Sequence, residues 1–204
     1  MVVREMIPKQ VFYIWFGDKE FDDRYVKEWS KVLKEYNIIK INEQTFFKDD
    51  YLNRLFEAKQ YTNASNYARL LALYNFGGIY LDTDVEVVKP FDDLLEDKLI
   101  FGAEDNIRIN TATIISPFGH KLIKEAIEIT KTKPIDLRPD FHSPQVITDL
   151  IRPLGWEGNK LFTKDDLIVY PNEYFYPYHY TEKFYPECIK SNTYSIHHWA
   201  GLWK

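Results

Sequence analysis

The stretch from Ala64 to Asp84 leaves this chain little choice of fold. Ala64, Tyr67, Ala68, Leu71 and Tyr74 recur at helical spacing, Gly77-Gly78 supplies a helix stop, and Ile79-Tyr80-Leu81 reads as a short buried strand that runs into Asp82-Thr83-Asp84. A helix feeding a buried strand is the building unit of a layered α/β domain. The same alternation recurs on both sides. A strand is expected over Val11–Phe16, between Pro8 and Gly17-Asp18, then a helix from Asp22 carrying Tyr25, Val26, Trp29, Val32, Leu33 and Tyr36, then a strand over 38–41. That is a βαβ unit. A short helix around Tyr51–Phe56, capped by Asp49 or Asp50, precedes the central segment.

Beyond Asp84, Val85 and Val87 lead through Lys89-Pro90 towards a helix near Phe91–Leu95. Strands follow at 99–103 and 113–115, then a helix bearing Leu122, Ile123, Ala126 and Ile127. Ser143-Pro144 reads as the cap and first turn of a helix through Ile151, the Tyr- and Pro-rich stretch 170–186 as irregular, and 194–198 as a last strand. With no repeat and no low-complexity linker, the expectation is one domain over 1–204. It should be an α/β sandwich with a mainly parallel central sheet flanked by helices. Ligands of such sheets gather at the carboxyl ends of strands, where Asp82 and Asp84 stand.

Composition narrows the partners. The 204 residues carry 26 Lys+Arg against 31 Asp+Glu, a net charge of −5, and no basic stripe, so nucleic acid is not expected as a partner. Cys188 is the lone cysteine, which removes internal disulfides and cysteine zinc sites. No apolar run approaches the ~18 residues of a membrane span, and the start lacks a signal-peptide core. A cytoplasmic protein follows, at most peripheral at the inner face of a membrane. The aromatic share of 17% suits sugar and nucleobase faces as well as any core.

Asp82 and Asp84, two apart on a strand end, leave the backbone on one side. Such a pair is relieved by an oxygen-seeking divalent cation, Mg²⁺ or Mn²⁺, which can in turn clamp a diphosphate. Asn66 and Arg69, three apart on the preceding helix, share a face that ends beside this tip. Asn66 suits hydroxyls; Arg69 suits a phosphate or an ion pair with Asp82 or Glu86. Trp15 is either a core aromatic or a base-stacking ring. Glu104 and Asp105 are candidates for a nucleophile or an acceptor base, or else form a solvated turn. The rings of Tyr174, Phe175, Tyr176, Tyr178 and Tyr180 are packing or an acceptor platform.

The combination Asn66-Tyr67-Ala68-Arg69, Gly77-Gly78-Ile79-Tyr80-Leu81-Asp82-Thr83-Asp84 and Lys89-Pro90 resembles bacterial sugar transferases that share a DXD sugar-binding region. These include capsular-polysaccharide and alpha-mannosyl transferases of the GT-A fold, whose pattern is Ser-Asp-x-x-Arg followed by Gly-Gly-x-Tyr-x-Asp-x-Asp. The opening Ile7-Pro8-Lys9 with Tyr13-Ile14-Trp15-Phe16-Gly17, and the closing Tyr194-Ser195-Ile196-His197-His198-Trp199-Ala200-Gly201-Leu202-Trp203, are similar to theirs as well. Departures are Asn66 for a usual Asp, Phe12 for a common His and Leu202 for a small polar residue.

This resemblance implies a GT-A-like enzyme that moves a sugar, with retention, from a nucleotide-sugar donor, UDP-linked, to a saccharide or lipid-linked acceptor in surface or capsular polysaccharide synthesis. It implies a Mn²⁺ or Mg²⁺ ion on Asp84, with Asp82 contacting ribose or the metal through water, completed by His198 of the adjacent pair His197-His198. Donor contacts are expected from Ile14, Trp15, Asn66, Arg69, Tyr80, Asp82 and Thr83. Arg69, Gln145 and Trp203 are expected at the reaction centre, Trp203 as a flap over the donor. Two rivals share the Asp-x-Asp: a haloacid-dehalogenase-type phosphatase, which wants Thr or Val where this chain has Glu86, and a non-catalytic nucleotide-sugar-binding module. Val87 stands where an EF-hand loop needs glycine.

Overall fold

The computed structural model describes residues 6–45, 49–136, 138 and 143–201. β1 (Gln10–Ile14), α1 (Arg24–Val32) and β2 (Asn37–Ile41) form the expected βαβ unit, with β1 and β2 parallel and in register from Gln10–Asn37 to Ile14–Ile41. α2 (Asp50–Glu57) starts where Asp49 accepts the Leu52 N–H at 3.0 Å, so Asp49 is the cap. α3 (Tyr61–Phe76) is buried almost all round, from Asn63 and Ala64 to Leu73, as a helix walled in on several sides must be. It ends at Gly77, whose φ of +62° favours glycine. A Cβ there would come within 2.7 Å of the Phe118 nitrogen.

β3 (Gly78–Leu81) then enters the sheet centre with all four residues buried. The order is β2-β1-β3-β6-β5-β8-β7, with β5 (Leu99–Ala103), β6 (Ile109–Ser116), β7 (Phe162–Lys164) and β8 (Leu167–Tyr170) completing the seven strands. Only β6 and β7 run against the other five. α4 (Lys121–Lys131) and α5 (Ser143–Ile151) pack with α2 and α3 on one face, where Phe12, Tyr80 and Phe101 point. Their neighbours Val11, Ile79 and Ile100 point to the other face, against Trp29 of α1 and the rings of Phe175 and Tyr194.

Two expectations change. No α-helix forms at Phe91–Leu95; a single tight turn spans Asp92–Leu94. Val85 and Val87 alternate with period two, and β4 (Val85–Val87) leaves the main sheet to pair antiparallel with β9 (Ser195–His197). Trp29 ties this ribbon to α1 by donating to the Val85 carbonyl at 2.8 Å. The β7–β8 hairpin carries no alternation long enough to announce itself in the sequence.

Gly102 on β5 allows the Phe175 and Tyr176 rings to cover the sheet, because a Cβ there would stand 2.7 Å from both. Gly102→Ala is expected to cost about 1–3 kcal/mol of unfolding free energy by overpacking. Urea titration checks this, and a variant as stable as the parent would contradict the packing.

Candidate active site

The β3–β4 junction places the acidic tip. Asp82 and Asp84 sit in the turn that carries the chain from the main sheet to the ribbon, where Val85 N–H returns to the Asp82 carbonyl at 3.1 Å. Their convergence is thus a property of the turn and of β9, not of a strand pleat. One ligand atom each from Asp82, Asp84 and His197 lie within 4.8 Å of one another. They stand on a cleft of about 1080 Å³ between the end of β1, the first half of α3, the ends of β5 and β6, and the segment after β9.

Each carboxylate is held differently. Asp82 Oδ1 accepts from Tyr80 Oη at 2.7 Å and pairs with Arg69 Nη2 at 3.1 Å. Arg69 is itself buried, donating to the Thr111 carbonyl at 2.8 Å, with its guanidinium 4.5 Å from the centre of the Tyr80 ring. Asp84 is 4% exposed and accepts the Ala200 N–H at 2.9 Å. His197 Nε2 lies 3.2 Å from Asp84 Oδ1, yet among the described residues neither ring nitrogen of this buried imidazole finds a hydrogen-bond partner. Such a nitrogen is costly unless something binds it. Two carboxylates and an orphaned imidazole are a donor set that suits Mn²⁺ or Mg²⁺, so the residues present fit a divalent cation.

Ile14, Trp15, Asn66, Arg69, Tyr80, Asp82, Thr83 and Asp84 all line the cleft. Trp15 is partly exposed, with Nε1 tied to the Lys19 carbonyl at 2.9 Å, which leaves the ring beside the opening. Asn66 Oδ1 accepts from Ser143 Oγ at 3.2 Å. Ser143 also meets Thr111 Oγ1 at 3.0 Å, so its hydroxyl joins α5 to α3 and β6.

The expectations for His198 and Gln145 need correction. His198 faces away from the acidic pair. Its Nε2 is 2.8 Å from Glu86 Oε2 and its ring stacks on Tyr25 at 4.5 Å, because His198 directly follows the last residue of β9 and successive residues of an extended chain point to opposite sides. His197 takes the place beside Asp84. Gln145 does not line the cleft; its amide donates to Asp149 Oδ1 at 2.7 Å along α5, and Pro144 is the residue that reaches the wall. Trp203 lies outside the described residues.

Comparisons with known proteins bear on this arrangement. Residues 19–101 match the family model described as glycosyltransferase sugar-binding region containing DXD motif. Over this segment the chain is similar to the DXD-containing glycosyltransferases. The fold extends the likeness to most of the chain: the PaToxG glycosyltransferase superposes with a TM-score of 0.59 over 75% of this chain and 71% of its own, at 18% identity. A glycosyltransferase involved in glycosylation of the major capsid of PBCV-1 superposes with a TM-score of 0.50 over 96% of both chains, at 13% identity. Glucan organizing enzyme 1 of Cryptococcus neoformans var. grubii is 48% identical over 46 residues, 22% of this chain but only 13% of that relative's length.

At the acidic tip, burial pushes the Asp84 carboxyl up, but the His197 charge and contact and the Ala200 N–H outweigh it and hold it below the ordinary value. Burial pushes the His197 imidazole down, and the Asp84 charge beside it brings the net shift above ordinary. A lowered carboxylate contributes stability above its unfolded value and loses it as pH falls through the folded one; a raised imidazole contributes below its unfolded value and loses it as pH rises through the folded one. In EDTA, the melting temperature should therefore peak between the two and fall on both sides. A profile flat across that window would contradict the pairing.

The sequence does not point to Thr111 and Ser143 as braces or to Trp199 as a cleft wall, whereas of the five rings weighed as an acceptor platform Tyr180 reaches the cleft. Trp199 holds φ of +53°, a conformation unusual for a non-glycine residue, with Nε1 donating to the Tyr178 carbonyl at 3.1 Å. The tandem aromatics of the closing motif were the available signal.

Proposed function

We propose that this protein is a retaining, metal-dependent glycosyltransferase that takes its sugar from a nucleotide-sugar donor, UDP-sugars being the first to try, and passes it to a saccharide or lipid-linked acceptor of surface polysaccharide synthesis in the cytoplasm. The observation that carries this reading is the convergence of Asp82, Asp84 and His197 on one cleft. Among the described residues no helix is long and apolar enough to cross a membrane, which is compatible with that setting.

Asp82, Asp84 and His197 would hold Mn²⁺ or Mg²⁺. What the cation supplies when bound is charge stabilisation of the departing diphosphate. The chain's own residues do the positioning. Tyr80 and Arg69 hold Asp82 in one orientation, Asn66, tied to Ser143, stands on the cleft wall where the donor sugar would lie, and Trp15 offers a ring at the β1 end of the cleft for the base. In a same-face transfer, the acceptor oxygen bonds to the anomeric carbon as the carbon–oxygen bond to the diphosphate breaks, and the acceptor proton passes to the departing phosphate. Such a reaction needs no separate acid–base pair.

The test is release of nucleoside diphosphate from a panel of UDP-, GDP- and dTDP-sugars with Mn²⁺, beside hydrolysis of p-nitrophenyl phosphate with Mg²⁺. Metal-dependent diphosphate release is the expected result. Phosphate-ester turnover alone would support the phosphatase reading, and nucleotide binding without release would support a non-catalytic module.

His197→Ala is expected to weaken Mn²⁺ binding by at least about tenfold, the lower end of the loss seen when even an outer-shell partner of a metal is removed. His198→Ala, which breaks the contact to Glu86, should leave it near the parent. Equal losses in a Mn²⁺ titration would contradict the assignment.

A further inference from the structure

On the same cleft as the acidic tip, Glu104 faces a histidine in a second polar pair that the proposed metal site does not use. Glu104, at the end of β5, is 6% exposed and lines the cleft. Its Oε2 accepts from Asn110 Nδ2 at 2.8 Å. Its Oε1 faces His179 Nε2 at 3.9 Å, too long for a hydrogen bond. An oxygen atom can sit about 2.8 Å from both at once.

The protonation of His179 says what kind of atom fits. The Thr181 backbone N–H donates to His179 Nδ1 at 3.4 Å, and Thr181 Oγ1 lies 2.8 Å from the same nitrogen. Nδ1 is therefore an acceptor, and the neutral ring carries its proton on Nε2. The gap is then bounded by one donor, Nε2–H, and one acceptor, Oε1. A metal ion needs a lone pair where this ring presents a proton. Asp105, the nearby acid, is engaged by the hairpin turn, its Oδ1 accepting from the N–H groups of Ile107 and Arg108 at 2.6 and 2.8 Å. A hydroxyl, which donates and accepts, matches the gap.

Aromatic rings adjoin it. Tyr180, 55% exposed, stands 4.0 Å from His179 and 5.8 Å from Trp199, ring centre to ring centre, and Trp199 stands 4.1 Å from His197. Tyr180 and Trp199 both line the cleft. A polar slot for one hydroxyl beside exposed ring faces is how a pyranose is recognised, by its C–H face and one equatorial or axial hydroxyl. Trp199 connects this slot to the proposed cation site.

We propose that Glu104 and His179, with Tyr180 and Trp199, form the acceptor subsite, and that the acceptor end bound there is a pyranoside whose hydroxyl donates to Glu104 and accepts from His179. This rests on the transferase reading of the same cleft. It makes the acceptor a saccharide rather than the bare lipid or a protein side chain.

The probe is a set of methyl α- and β-glycosides of glucose, galactose and mannose, read by saturation-transfer NMR on the whole chain with Mg²⁺, with and without UDP. At least one glycoside should show transfer in the parent. Glu104→Gln keeps the shape, but Asn110 claims the amide oxygen, so an N–H₂ group faces Nε2–H and the slot loses its acceptor; binding of that glycoside should weaken about tenfold. His179→Ala should weaken it similarly, and melting curves verify that both variants fold. No transfer from any glycoside to the parent, or unchanged transfer in Glu104→Gln, overturns the proposal. UDP signals in the same spectra report separately on the donor side, so a protein that binds glycosides but no nucleotide refutes the transferase reading and not the hydroxyl slot.

Discussion

Asp84→Asn is expected to lower sugar transfer by about 10³-fold while leaving the protein folded. The amide is isosteric and its oxygen can still accept the Ala200 N–H, so the local hydrogen bond survives. What is lost is the negative charge that faces His197 at 3.2 Å and that would hold the cation. Electrophilic stabilisation by a metal is worth several kcal/mol in a transition state, and each ~1.4 kcal/mol is tenfold in rate. The check is steady-state transfer beside a melting curve in EDTA. A folded variant that retains a tenth or more of parental turnover would show that Asp84 does not hold the catalytic ion.

Arg69→Ala should act first on the fold. The guanidinium is buried, pairs with Asp82 at 3.1 Å, donates to the Thr111 carbonyl and covers the Tyr80 ring. Removing one partner of such a pair leaves Asp82 as a mostly buried charge with only the Tyr80 hydroxyl for company. The expected cost is about 3–5 kcal/mol, within reach of a domain's whole stability. Arg69→Lys retains charge but not the fork that reaches Asp82 and Thr111 together, so it should recover only part. Chemical denaturation measures both. If Arg69→Ala is as stable as the parent, the guanidinium is a donor-binding group held in reserve and not a brace.

Much of this architecture was legible before any coordinates. The 3.6-residue period of α3, the Gly77-Gly78 stop and the short apolar β3 are local signals, and they suffice to set the acidic tip at the end of a central strand. The antiparallel run of β6 between β3 and β5 was not legible, because direction is decided by pairing between residues far apart in sequence. That His197 and not His198 stands beside Asp84 is hidden from the sequence for the same reason. Which histidine faces Asp84 is a matter of strand parity, fixed by the pairing of Val85 with His197, whereas the sequence of β4 suggests only the approach to a helix. The position of Gln145 at a helix start says nothing of the competing partner Asp149, one turn along, which takes its amide. Arg69 was open between ion pair and function, and the Asp82 contact shows that the ion pair exists on the cleft wall itself.

The claim on which the rest depends is that Asp82, Asp84 and His197 hold a divalent ion that in turn holds the diphosphate of the donor. Calorimetric titration of UDP, GDP and dTDP into the protein, once with Mn²⁺ and once with EDTA, tests it without any acceptor. At least one nucleotide should bind about tenfold or more tightly with Mn²⁺, and Asp84→Asn should abolish that difference. Nucleotide binding of equal strength in Mn²⁺ and EDTA would contradict it.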